Sequence, residues 1–161
     1  MLRASINAFI LIGICLAIHS YGIVALGVAL VRRRHSIERR FGVIHTSFVV
    51  ILIFTILIML HLFENCIWAA FYCWHGLFKN YETSLYFSLA TYTTLGYGDE
   101  LLPERWRLLG SLQGIAGVLL CGLSTAFLFS VINVLFQYHV QQLDLQTQLT
   151  AVDSDTERTG R

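Results

Sequence analysis

The stretch Thr93-Thr94-Leu95-Gly96-Tyr97-Gly98-Asp99 decides how the rest of the chain is read. Gly96 and Gly98 alternate with larger residues. Glycine enters the region of positive φ without the penalty that a Cβ imposes. An alternation of ordinary and inverted residues therefore turns successive carbonyl groups to one side of the strand. Before it runs a short, mixed segment, Thr83-Ser84-Leu85-Tyr86-Phe87-Ser88-Leu89-Ala90-Thr91-Tyr92. Thr83 or Ser84 suits a helix N-cap. The segment is too short to cross a bilayer but long enough for a re-entrant half-helix, which membranes tolerate where it is buried in protein or lines a water path.

Long apolar runs flank this unit on both sides. Ile6 to Val31 contains no Asp, Glu, Lys or Arg, and neither does Gly42 to Phe63. The second run continues past Glu64 into an aromatic stretch with Trp68, Phe71, Tyr72 and Trp74, rings that favour a membrane interface. A third uncharged run covers Leu108 to Phe136. Each run is long enough to span a membrane as a helix. Between the first two, residues 32–40 carry five arginines, which places that loop in the cytoplasm by the positive-inside rule. By alternation the N-terminus and the 83–102 segment lie outside and the tail lies inside.

Composition agrees. The 161 residues are 56% hydrophobic and only 13% charged, with mean hydropathy +0.65. Soluble domains carry roughly 25% charged residues, so too little polar surface is present to coat one. Disorder is excluded by the same numbers. A net charge of +1 leaves no footprint for nucleic acid. Cys15, Cys66, Cys73 and Cys121 all sit in apolar runs without a CxxC pair, and are read as small buried hydrophobes.

Thr93 to Asp99 resembles the selectivity-filter signature of the potassium channel superfamily, and the resemblance extends over roughly residues 41–136. It implies an all-α membrane protein with three transmembrane helices, the first being an extra N-terminal one, plus a re-entrant pore helix and filter, assembled as a four-fold symmetric homotetramer. In such channels four filter loops stack rings of backbone oxygens that replace the hydration shell of K⁺. Carried onto this sequence, the carbonyls of Thr94, Leu95, Gly96 and Tyr97, with the Thr94 hydroxyl, would hold the ions, and Gly98 would complete the filter. Thr93, Asp99, Tyr86 and Glu64 would support it. The Tyr97 ring would brace the filter against pore helices, and Leu95, where valine is commonest, would face the pore helix as a packing swap. Tyr86 and Phe87 replace a usual tryptophan pair, Tyr86 still offering a hydroxyl to Asp99. Ala90 stands where one bacterial branch has a buried glutamate.

The third span carries Gly110, Gly114, Gly117 and Gly122, spacings that allow close helix packing. Gly117 reads equally as hinge or packing residue, Gly122 as packing. Phe127, Val131 and Phe136 are candidates for a hydrophobic gate. Glu64 is the one carboxylate within the apolar spans, and an intramembrane ionisable residue marks a functional site. It is expected to clamp the back of the pore helix or the top of the inner helix, with His61 tuning it. His19 reads as a lone packing histidine. Counted from the cytoplasmic ends of the apolar runs, it lies roughly 10 Å lower than His61, so the two imidazoles are not expected to meet and a haem pair is a poor fit. His19, His61 and His139 are candidate proton sensors, since His titrates near neutral pH.

The expected organisation is 1–40, N-terminal helix and basic loop; 41–136, pore domain; 137–161, a short cytoplasmic tail that extends the third helix briefly before fraying. The first span, without the arginine series of a voltage sensor, packs outside the pore module and contacts lipid. The function expected is passive, K⁺-selective conduction across the plasma (inner) membrane, not steeply voltage-gated and not enzymatic. No cofactor beyond filter K⁺ is expected, and no partner beyond further copies and lipids, with no soluble partner and no nucleic acid. The alternative is a non-conducting structural or regulatory membrane subunit.

Overall fold

A computed structural model describes residues 2–38 and 43–159. They form α1 (Leu2–Glu38), α2 (Val43–Trp74), α3 (Tyr81–Tyr92), a 3₁₀ turn (Glu104–Trp106) and α4 (Arg107–Thr159), with no strand among the described residues. Three segments are long and apolar enough to cross a membrane: Ser5–Arg32, Thr46–Trp74 and Glu104–Tyr138. Their outer faces leave large apolar side chains exposed, among them Phe9, Ile51, Phe54 and Phe129, as lipid contact requires.

The short helix α3 starts earlier than its sequence suggests. Asn80 is the N-cap, its side chain accepting the Thr83 N–H at 2.8 Å, while the Ser84 hydroxyl donates to the Asn80 carbonyl at 2.9 Å. Asn is among the strongest N-caps, so neither Thr83 nor Ser84 takes that role. At the other end α4 does not stop after a brief extension but runs to Thr159. Between Leu123 and Thr159 there is no glycine or proline, and the Gln, Leu and Ala of the tail are good helix formers.

α2 packs on α3, α3 on α4, and α1 on both α4 and α2. Two apolar clusters hold the bundle. One joins Leu11 and Cys15 of α1 to Trp68 and Tyr72 of α2, Tyr92 of α3 and Leu109 of α4. The other is built on Val49, Ile53 and Leu57 of α2, with Ile23 and Leu26 of α1 and Phe127 and Val131 of α4 against them. α1 is thus seated on the two other long helices. Of the four thiols read as buried, Cys15 is buried and Cys121 is exposed, and all four are free.

Candidate functional site

The backbone after α3 carries the sharpest local conformation. Thr94, Gly96 and Gly98 all have positive φ, at 60°, 50° and 80°. A β-branched residue in that region is strained, and Thr94 is the sole non-glycine with positive φ among the described residues. The strain is held in place by the end of α3. The Thr94 N–H donates to the Thr91 carbonyl at 3.0 Å, the Gly96 N–H to that of Ala90 at 3.1 Å, and the Thr93 hydroxyl to that of Leu89 at 2.7 Å. Downstream, the Tyr86 hydroxyl donates to Asp99 Oδ2 at 2.7 Å. This bond holds the Asp99 carboxyl below its usual range and pushes the Tyr86 phenol up to about 12.

Leu95 and Tyr97 do not lean on α3 of their own chain. They are 61% and 68% exposed, because no element of the protomer lies beside them. An open groove of about 700 Å³ lies between this loop and α4, lined by Thr91, Thr94, Gly96, Leu101, Gly114 and Val118 among others.

Two of the α4 glycines sit at close backbone approaches. A Cβ on Gly117 would run into the Tyr92 carbonyl oxygen, and one on Gly114 would stand 3.4 Å from the Thr91 carbonyl oxygen. Gly117 is therefore a contact point with the end of α3. Gly122, expected to pack, has nothing within 4 Å. Phe127 and Val131 are committed to the second apolar cluster within the protomer, whereas Phe136 is exposed. The side chain of His139 lies outside the described residues.

Glu64 is fully buried and stands at a junction of all four helices. Its Oε1 lies 2.8 Å from His19 Nδ1, and the Tyr92 hydroxyl donates to its Oε2 at 2.8 Å. His19 Nε2 lies 2.9 Å from the Ser124 hydroxyl, which lies 3.1 Å from His61 Nε2. His61 Nδ1 returns to the Tyr92 hydroxyl at 2.8 Å. The expected clamp is present in a different form: Glu64 meets the C-terminal residue of α3, not its back, and reaches α4 through the two histidines. His19 is no lone packing residue. The two imidazoles meet, with ring centroids 4.9 Å apart. The depth estimate failed because α1 continues past Val31 through Arg32, Arg33 and Arg34 to Glu38. His19 lies nineteen residues before the end of α1 and His61 eighteen after the start of α2, so counted from those two helix ends they stand at nearly the same height.

The ligating atoms of His19, His61 and Glu64 come within 4.8 Å of one another. A metal would need a lone pair from each aimed at one point about 2 Å away. Here the same nitrogens and oxygens lie at hydrogen-bond distance from protein neighbours, so the described geometry is that of a hydrogen-bonded ring, and a metal would have to displace those contacts.

A second polar chain braces the other side of α3. The Tyr72 hydroxyl donates to Gln113 Oε1 at 2.6 Å, the Gln113 amide to Ser88 Oγ at 2.8 Å, and the Ser88 hydroxyl to Asn65 Oδ1 at 2.9 Å. Tyr92, Ser124, Asn65, Ser88 and Gln113 are the residues that sequence reasoning passed over. A signal was available for Gln113, an amide inside the uncharged third run, of the kind helix interfaces in membranes use as hydrogen-bonding glue.

A family model described as "Ion channel" matches residues 48–134, more than half of the chain. The chain belongs to this ion channel family. The match takes in most of α2, all of α3, the strained loop and α4 as far as Val134. α1 lies outside it, so the ion channel segment supplies His61, Glu64, Tyr92 and Ser124 of the ring, and the N-terminal helix supplies His19. Together with the three apolar helices, the family makes this a membrane protein. No curated protein and no solved structure matches the chain.

Proposed function

We propose that the protein is a potassium-selective channel that conducts passively through a homotetrameric pore, with α3 as the re-entrant pore helix, Thr94 to Gly98 as the filter and α4 as the inner helix. The observation that carries this reading is the alternation of positive φ at Thr94, Gly96 and Gly98 directly after a 12-residue helix. Such alternation suits a strand that presents successive carbonyls to a cation, and the C-terminal, partially negative end of α3 favours a cation beside it. One such strand lines a quarter of a ring. The exposure of Leu95 and Tyr97 and the open groove beside them supply a surface for the neighbouring copies that a cyclic assembly brings. In the tetramer the K⁺ ions are cargo, coordinated by the carbonyls of Thr94, Leu95, Gly96 and Tyr97 and the Thr94 hydroxyl. The arginine-bearing stretch 32–40 and the C-terminus face the cytoplasm in this reading, and the Asp99 end of the filter faces outward. The apolar run of α1, residues 6–31, contains no arginine, so steep voltage gating is not expected.

The test is a liposome flux assay on purified protein. K⁺ or Rb⁺ should pass down its gradient, Ba²⁺ should block, and Na⁺ should be excluded. An intact tetramer without flux would instead identify a non-conducting subunit.

A further inference from the structure

The five contacts among Glu64, His19, Ser124, His61 and Tyr92 close into a ring, each group touching two others at 2.8 to 3.1 Å. Each contact at that distance needs one hydrogen. Two neutral imidazoles bring one N–H each, Ser124 and Tyr92 one O–H each, and an ionised carboxylate none. That makes four hydrogens for five contacts. One contact is then a meeting of two lone pairs, and the ring carries a net negative charge in a site where Glu64 and His19 are fully buried.

We infer that this ring is a proton-binding site that holds one proton beyond those of its neutral imidazoles and ionised carboxylate. With it, every group donates once and accepts once, and the net charge is zero. The proton comes from water and enters at His61, whose side chain is 18% exposed while Glu64 is sealed. The titratable groups facing the ring are few. Beyond its own members, the described titratable groups near Glu64 are the thiols of Cys15 on α1 and Cys121 on α4. When the proton leaves, one contact of the ring opens, loosening the hold of α1 and α4 on Tyr92. That residue immediately precedes the strained loop, and its carbonyl abuts Gly117. The consequence for conduction rests on the channel reading above; proton binding itself does not.

Two substitutions remove the deficit in different ways. In Glu64→Gln the amide supplies the fifth hydrogen, closing the ring without a proton. In Tyr92→Phe the ring becomes a chain of three contacts with three hydrogens. The full-length protein and both variants are unfolded thermally in detergent from about pH 5 to 9, the range over which histidine titrates. A native state that holds one more proton than the unfolded chain loses stability as pH rises. The wild-type midpoint should therefore fall relative to each variant, by about 3–5 °C for each pH unit between the ordinary histidine range and the pH at which the ring gives up its proton, and stay level beyond it. Groups shared by the three proteins cancel in the comparison. Parallel curves would overturn the proposal, and if Glu64→Gln fails to fold, Tyr92→Phe carries the same comparison. Rb⁺ flux into liposomes, measured alongside, should show a pH step in wild type that Glu64→Gln lacks. Diverging stability curves without flux at any pH would sink the channel reading and keep the ring; flux with parallel curves would do the reverse.

Discussion

The hydroxyl of Tyr92, last residue of α3, donates to Glu64 Oε2 at 2.8 Å, tying the one buried carboxylate among the described residues to the residue just before the strained loop. Removing the carboxylate altogether leaves the Tyr92 hydroxyl and His19 Nδ1 with a cavity where their partner stood. An unsatisfied buried polar group costs about 1–3 kcal/mol. Glu64→Ala should therefore lower the stability of the detergent-solubilised protein by at least that much and well beyond the effect of Glu64→Gln, read as thermal midpoints at one pH. Equal midpoints for the two variants would show that these bonds contribute little.

The glycines of α4 divide into two kinds. Gly117→Ala puts a methyl group into the Tyr92 carbonyl oxygen and against the root of its ring, where the nearest atoms are backbone rather than the far end of a flexible side chain. α3 and α4 must separate, and overpacking of this sort costs about 1–3 kcal/mol. Gly122→Ala meets open space within the protomer, and alanine favours a helix by about 1 kcal/mol over glycine. Thermal unfolding should rank the three proteins Gly122→Ala at or above wild type and Gly117→Ala clearly below. A neutral Gly117→Ala would mean that the contact with Tyr92 is dispensable.

How far these relationships could be read from the sequence depended on their range. The three spans follow from runs of uncharged residues, and the short helix from its position before the glycine alternation. The Tyr86–Asp99 bond was also within reach, because both groups belong to one short unit. The ring was not. It joins residues up to 105 positions apart, and its register depends on where α1 ends. The apolar edge at Val31 suggested one height for His19, but the helix continues through Arg32, Arg33 and Arg34 to Glu38, and the height changed. Ser124 shows the same limit: one small hydroxyl in an apolar run carries no directional signal until its two imidazole partners are placed.

The loop glycines make a functional prediction. Gly98 has φ of 80°, in a region that costs an L-residue about 1–2 kcal/mol, yet no atom lies within 4 Å of where its Cβ would stand. Gly98→Ala should therefore fold and assemble with only a modest loss of stability. Under the channel reading the strand can no longer hold its alternation, and Rb⁺ flux should be abolished while size-exclusion behaviour is unchanged. Persistent, K⁺-selective flux in this variant would exclude the assigned filter.

The Tyr86–Asp99 bond gives the last prediction, and its sign follows from the two shifts. The Asp99 carboxyl is held below its usual range mainly because the Tyr86 hydroxyl donates to it, so the link is intact above the ordinary carboxylate range and is lost as pH falls through the depressed value. The Tyr86 phenol is pushed up to about 12, chiefly by the same bond, so on the alkaline side the link survives until pH rises through that value. Between these limits it is constant, and it cannot be the source of any pH dependence near neutrality. Both groups are exposed to solvent in the protomer, where a hydrogen bond adds little to stability. Tyr86→Phe should accordingly leave the thermal midpoint nearly unchanged and leave the pH dependence of stability from about pH 5 to 9 as in wild type. What should change is the persistence of the loop conformation: in the channel reading, Rb⁺ flux through Tyr86→Phe should start normally and decay faster. A variant whose pH profile differs from wild type near neutrality would show that Tyr86 is coupled to the buried ring after all.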